Sequence, residues 1–530
     1  MSGSIEKSVQ PPSNSRIVQV FGYLLTLLVF PPIALVWACL ARKWPPPVRV
    51  AAVVTSLIWG GIYAHFVLGL TIDFNGDMSQ WRFTVRNPWV EEARFRFREQ
   101  PADGPTVSVP PLPRRGGPRV LGAPPGRTEV FWCCFRGHDR MGMVTAQPLL
   151  PWPENGLEPV WKVDVGGGYS SMVIGYGRLY TIEQRGFHEA ITCYDAATGR
   201  ELWAHTYRAR FEEALGGPGP RATPTLHGGK LVALGAEGHL TCLDPVSGRR
   251  FWQRNILEDS GGRNLRWGMA GSPLVVDGVV IVTPGGPGNW LLAAYDLETG
   301  ELLWHNGDDQ PSYSSPQISR IGGMDQIVLF SATRVGGYRL EDGELLWQFP
   351  WRTQSDIQVH QPIVFPDGRV FISTDYGVGC AMLRVWRDES GKFRVEELWR
   401  NRFLKAKFQS SVVKDGYIYG FDGPLLACID IETGRRMWKG GRYGFGQMML
   451  IGDTIIVIAE NGDLVQIRPN PEGLDEICRF PAVRGKTWNH PAYADGRLYV
   501  RSEEQMACFE LPMRREQARS SPGTRAASVR

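Results

Sequence analysis

The chain has 530 residues, more than one ordinary domain needs, and a formal net charge of +4 that is nearly neutral for this size. Its 62 glycines, 39 prolines and 19 tryptophans are the composition of a turn-dense all-β protein. No Lys/Arg run interleaves with aromatic residues in the body of the chain, which argues against nucleic acid as a partner.

Residues 1–16 read as an N-terminal tail. Two apolar stretches follow within residues 17–70, Ile17 to Leu40 and Val48 to Leu70, each exceeding 20 residues and long enough to cross a bilayer as a helix. Pro31-Pro32 predicts a kink in the first. A cleaved signal peptide would be shorter and would not be followed so closely by a second span. Arg42, Lys43 and Arg49 lie in or beside the connection. Placing them in the cytoplasm puts both termini, and everything beyond the second span, on the outer side. Residues 71–130 divide in two. Trp81 to Glu99 alternates charged and aromatic residues and predicts a juxtamembrane strand or helix, while Pro101 to Arg127 is a Pro/Gly/Arg-rich tether. At the far end, residues 513–530 hold Arg514, Arg515, Arg519, Arg525 and Arg530 among Ser, Ala and Gly, which predicts a solvated, disordered tail.

Between these ends, residues 131–512 are built from one recurring unit. Its plainest copy runs from Gly271 to Trp304: two period-2 apolar runs about Asp277-Gly278, then two more about Thr299-Gly300, closing on tryptophan. Four short antiparallel strands that cannot bury both faces alone must stack on neighbours around an axis, as in a β-propeller. First-hairpin turns occur eight times, at Tyr176-Gly177, Gly228-Gly229, Asp277-Gly278, Gly322-Gly323, Asp367-Gly368, Asp415-Gly416, Gly452-Asp453 and Asp495-Gly496. Fourth strands carry Trp203, Trp252, Trp304, Trp347, Trp399 and Trp438, with Phe480 replacing tryptophan in the seventh unit. The eighth unit, Asn489 to Leu511, stops after three strands, and the missing fourth stands at the other end, in Val160 to Val165 with Trp161. The prediction is an all-β, eight-bladed propeller closed by its N-terminal strand and preceded by two transmembrane helices. Cys193, Cys242, Cys428 and Cys508 share one column with Ala294, which marks a small buried packing position and not a set of disulfides.

The stretches Cys193 to Trp203 and Ala294 to Trp304 carry an Ala/Cys-x-Asp-x-x-Thr-Gly-x-x-x-Trp pattern. On these residues the repeat resembles the pyrroloquinoline-quinone (PQQ) repeat, in which the final tryptophan docks on the next blade. Phe135-Arg136-Gly137 with Asp139-Arg140, Gly219 to Thr225, Lys439 to Tyr443 and Gly485 to Pro491 further resemble exported bacterial PQQ-like propellers of unassigned activity. The resemblance implies the quinoprotein alcohol dehydrogenase-like superfamily, whose better-known members point two ways. Some are PQQ- and Ca²⁺-dependent dehydrogenases. Another is the propeller lipoprotein of the outer-membrane β-barrel assembly machinery, a scaffold without catalysis.

Aligning the blades on Pro273 places Ser171, Thr223, Ser272, Ser315, Gln361, Ser411, Gln447 and His490 in one column just before the innermost strand. Residues able to hydrogen-bond at every repeat read as ties between neighbouring inner strands. Next to this column, Tyr169, Arg221, Trp267, Tyr313, His360, Arg442, Trp488, Asn489 and His490 are the candidates for the channel mouth. Rings for stacking and cations for carboxylates suit a planar or anionic ligand, or a partner protein. Cys133-Cys134 matches the cofactor-covering cysteine pair of quinoproteins only in its letters, and no Glu/Asn/Asp set with the spacing of a Ca²⁺ site emerges. No catalytic residue is assigned. The expected function is a membrane-anchored platform on the periplasmic side of a bacterial inner membrane, binding a ligand or protein. The alternatives are a membrane-bound PQQ-dependent alcohol or sugar dehydrogenase and an envelope-assembly scaffold.

Overall fold

The computed structural model describes residues 23–24, 27, 31–41, 44–76, 78, 81–96 and 132–514. The expected N-terminal tail, most of the first apolar stretch before Pro31, Arg42 and Lys43, the tether from Pro101 to Arg127 and the tail from Arg515 onward lie outside the described residues. The described residues fall into two compact units, one within Met1–Asp73 and Trp81–Glu91, the other within Phe74–Gln80 and Glu92–Arg530.

In the first unit a helix spans Pro46–Phe66, entered through prolines that the first turn tolerates because its amides have no intrahelical acceptor. Its 20 residues Pro46–His65 are long and apolar enough to cross a bilayer. Val48, Val50, Val54, Leu57 and Ile58 point outward, exposed. Of the other expected span the described residues include Tyr23, Leu24 and Leu27, helical, and the ten-residue helix Pro31–Leu40. Among the described residues, then, one helix meets the length requirement where two were expected. The strand-or-helix question at Trp81 to Glu99 resolves into both. Strand Trp81–Val85 pairs with Leu70–Phe74, and a helix over Pro88–Arg96 follows. Buried Asp73 is held by Arg82 Nε at 3.2 Å and Arg86 Nη2 at 3.3 Å, and Asn87 Oδ1 accepts the Trp89 amide at 3.0 Å to start the helix.

The second unit is the eight-bladed propeller. Blades 1 to 6 are four-stranded antiparallel sheets, with inner strands at Val173–Gly175, Thr225–His227, Leu274–Val276, Gln317–Ile321, Ile363–Val364 and Val412–Lys414. Blade 7 begins at Gln447–Ile451 and gains a fifth, innermost strand, Met143–Val144, paired in parallel. Blade 8 consists of Ala492–Ala494, Arg497–Arg501 and Gln505–Glu510, and Pro159–Asp164 completes it, with Trp161 opposite Cys508. The N-terminal strand therefore fastens the ring and removes an open sheet edge.

Local chemistry explains the regularity. At Asp277-Gly278 both residues have positive φ, +48° and +80°, the type I′ geometry that matches strand twist. The outer-hairpin glycines Gly199, Gly248, Gly300, Gly343 and Gly434 have a second reason to be glycine. A Cβ on Gly199 would stand 2.7 Å from the Trp161 ring, and one on Gly300 2.6 Å from Trp252. The outer tryptophan of one blade thus lies flat on the turn of the next. Its indole N–H donates across the gap, from Trp161 to Ala196 O at 3.0 Å and from Trp252 to Leu297 O at 2.9 Å. Trp347 instead donates within its own blade to Gln326, and the Trp203 indole N–H, also buried, makes no hydrogen bond. Asp195, Asp244, Asp296 and Asp430 cap the same turns through two backbone amides and a hydroxyl each. The cysteine column is fully buried and unbridged.

Candidate functional site

The residues aligned just before the inner strands form a belt around the axis. The amide of Ser171 donates to Thr223 Oγ1 (3.1 Å), that of Thr223 to Ser272 Oγ (2.9 Å) and that of Ser272 to Ser315 Oγ (2.9 Å). Ser315 N continues to Gln361 Oε1 at 3.3 Å and Gln361 N to Ser410 Oγ at 3.0 Å. From blade 2 to blade 6 a side chain of one blade thereby satisfies a buried amide of the blade before it. In blade 6 the belt uses Ser410, one residue earlier than the alignment on Pro273 gives. Ser411 instead pairs its hydroxyl with His360 Nε2 at 3.1 Å.

Inner strands all leave the belt in one direction, so residues before the belt lie on one side and residues after it on the other. The far side is filled by the lead-in, residues 132–144. Trp132 bridges Ile174, and Cys133 O accepts the amide of Leu226 at 2.8 Å. Two buried arginines reach the inner strands. Arg140 donates to Ser272 O (3.1 Å), Pro316 O (2.8 Å) and Pro273 O, and Arg136 to Ser411 O (2.9 Å) and Met141 O (2.5 Å). Burial draws the Arg136 guanidinium down to about 9. Burial, aided by Arg136, holds His360 at about 3 and pushes His490 well below the ordinary imidazole value. Both imidazoles are therefore neutral, and His490 lies 6.3 Å from the Trp132 ring in a near-parallel stack. Cys133 Sγ lies 3.7 Å from Cys134 Sγ, and this hydrogen bond raises the first thiol and lowers the second. The pair belongs to the lead-in, on the opposite side of the belt from the mouth.

On the near side, the mouth gathers rings and cations. Tyr169 and Trp488 have centroids 4.8 Å apart, Trp488 and Phe408 4.7 Å, and Phe408 and Phe445 5.6 Å. Arg221 stands 5.9 Å over Tyr169 and bonds Glu213 Oε1 at 3.3 Å, Gly217 O at 3.0 Å and Gly219 O. Trp267 and Tyr313 form a second pair at 5.5 Å and line a cleft of about 310 Å³ with Arg266 and Asp356. Of the nine residues proposed from sequence, Tyr169, Arg221, Trp267, Tyr313 and Trp488 stand at the mouth. His360, Asn489 and His490 are buried at the belt, Asn489 donating to Ser170 O at 2.9 Å. Arg442 ends the outermost strand of blade 6, exposed.

Sequence reasoning passed over Lys407, Phe408 and Glu460, while Lys486 counts among the cations that it brings near the mouth. These residues seat a piece of the chain itself. Lys407 Nζ donates to Gly76 O at 2.6 Å and Lys486 Nζ to Phe74 O at 3.1 Å. Glu460 Oε1 accepts Gly76 N at 2.7 Å and Trp488 Nε1 at 2.8 Å. Gly76 is buried against Phe445, where a Cβ would stand 2.3 Å from the ring.

The residues present do not fit PQQ at this mouth. A planar cofactor held between two rings needs roughly 7 Å between them, twice a van der Waals separation of about 3.5 Å, whereas Trp488 packs directly on Tyr169 and Phe408. Among the described residues no three His, Cys, Asp or Glu side chains are grouped to hold a metal ion.

Fold and repeat together define an eight-bladed propeller of the PQQ-like class. The family model described as outer membrane protein assembly factor BamB matches residues 155–266 and 188–440. The chain is 34% identical over 392 residues to the outer membrane protein assembly factor BamB of Burkholderia pseudomallei, covering 68% of this chain and 91% of that one. It belongs to that family. Against the same factor from Yersinia pestis the identity is 26%, over 41% of this chain and 54% of the relative. The quinohemoprotein alcohol dehydrogenase of Comamonas testosteroni is 30% identical over only 24% of this chain and 19% of its own length. Among solved structures, the quinohemoprotein alcohol dehydrogenase ADHIIG of Pseudomonas putida HK5 superposes with a TM-score of 0.50. It covers 74% of this chain and 82% of its own at 13% identity, a likeness of fold alone.

Proposed function

We propose that the protein is a non-catalytic, protein-binding propeller serving envelope-protein assembly, held at the outer face of the cytoplasmic membrane by the helix Pro46–His65, with the channel mouth as its docking surface. The observation that carries this reading is the mouth itself: ammonium, carboxylate and aromatic groups from several blades converge on peptide backbone at Phe74 and Gly76. Family membership supports it, because the Burkholderia pseudomallei relative, matched over 91% of its length, is named for assembly and not for a reaction. The helix motivates the anchor, and Arg49 near its start motivates the orientation. The dehydrogenase alternative is less well supported, since the ring spacing offers no slot for a quinone.

Site-specific photo-crosslinking in cells tests the proposal. A photoreactive residue replacing Trp267, half-buried at the mouth, should give discrete adducts with envelope proteins. The same residue replacing Leu398, 44% exposed on the outermost strand of blade 5, should give none. Equal adducts from both positions, or none from either, would remove the mouth as the docking surface.

A further inference from the structure

We infer that the mouth recognises the main chain of a glycine-containing β-turn of a partner protein, and that the turn at Asn75-Gly76 occupies the same seat in cis as a tethered competitor. The inference rests on the protein-binding reading above and names its partner chemistry.

The turn is closed by Met78 N donating to Asn75 O at 2.9 Å, and Asn-Gly is a sequence suited to such a bend. The seat reads backbone, not side chains. Two ammonium groups take the carbonyls of Phe74 and Gly76, and a carboxylate takes the Gly76 amide. Charged partners make these hydrogen bonds stronger than neutral ones. The receptor groups are themselves positioned. Glu460 is oriented by Trp488 Nε1 and by the Phe445 amide at 3.2 Å, and Lys486 is also held by Leu215 O at 2.6 Å. Selectivity comes from Phe445, whose ring leaves no room for a Cβ at the central residue. Any protein turn presenting carbonyl, glycine amide and carbonyl in this order would satisfy the same three groups. A segment tethered in the same chain competes at an effective concentration of about millimolar, so an external turn gains the seat only when the internal one leaves.

The test uses the full-length protein and a fluorescent peptide with the sequence from Ile72 to Met78. Gly76→Val evicts the internal turn, because its branched side chain must enter the Phe445 ring. Gly76 is not in the left-handed region, so the substitution adds no backbone strain. Gly76→Pro is an independent second variant, since it deletes the amide that Glu460 accepts. Both variants should bind the peptide saturably by fluorescence anisotropy, with the unsubstituted protein about 100-fold weaker. In the Gly76→Val background, Lys407→Ala or Lys486→Ala should weaken binding about tenfold or more, and a peptide carrying valine for glycine should not bind. Equal peptide affinity for variant and unsubstituted protein would overturn the inference, as would no binding by either variant with unchanged melting. If that failure came with intact adducts from position 267, turn recognition would be rejected and the platform reading kept. Loss of the adducts with peptide binding intact would do the reverse.

Discussion

A chain beginning at Gly166 is expected to aggregate, or to melt far below one beginning at Trp132, because it lacks the strand that closes the ring. Pro159–Asp164 supplies the entire outer ladder of blade 8, with Met506, Ala507 and Cys508 paired to Val163, Lys162 and Trp161. Its removal exposes the edge of Gln505–Glu510, a template for intermolecular pairing. It also withdraws Trp161, only 7% exposed, from the Gly199 turn of blade 1. In the longer chain, Trp161→Ala isolates the strand from the lead-in and should cost about 3–5 kcal/mol, as for a buried large aromatic residue. Denaturant unfolding with light scattering reads both effects. Coincident transitions for the two chains would mean that the ring holds without its clasp.

Arg140→Met is expected to be the most damaging single change inside the channel, at about 3–5 kcal/mol in denaturant unfolding. The methionine is of similar bulk, so the loss is one of donors. Ser272 O, Pro273 O and Pro316 O all face the guanidinium, and each buried acceptor left short of a partner costs about 1–3 kcal/mol, without strict additivity. Arg140→Lys should recover less than half of the loss, because one ammonium cannot reproduce a planar fork directed at carbonyls of two blades. Arg352→Met, at a side chain 70% exposed, should stay within about 0.5 kcal/mol. A neutral Arg140→Met would show that the lead-in merely lies in the channel and does not brace it.

The parts of this molecule that repeat were legible, and those that occur once were not. Turn glycines, docking tryptophans and the polar belt each appear in several blades, so register alone placed them. The clasp was legible because one blade lacked a tryptophan strand and the other end of the chain had one to spare. Arg136 and Arg140 have no counterpart in any blade. Their role appears only when residues 132–144 are seen against inner strands from blades 1, 2, 3, 4, 6 and 7. The mouth was half legible. Tyr169, Arg221, Tyr313 and Trp488 follow from counting back from the belt. His360 is one residue from such a position, and in extended chain a single step turns a side chain from the mouth into the channel. His490 is itself a member of the belt column and lies buried there. Arg442 aligned with the correct end of a strand, but of the outermost one. Lys407 and Glu460 lie in loops whose side chains change from blade to blade, Glu460 standing where blade 2 has Ala236, and their partner at Gly76 is more than 300 residues away in sequence.

The direct test of a binding propeller against a quinoprotein is titration of the purified full-length protein with PQQ and Ca²⁺, followed by absorbance and by dye reduction on alcohols and sugars. With Trp488 packed on Tyr169 and Phe408, the expected result is no saturable quinone spectrum and no dye reduction above a protein-free control. A stoichiometric quinone spectrum with substrate-dependent dye reduction would contradict the binding role and make the protein a dehydrogenase.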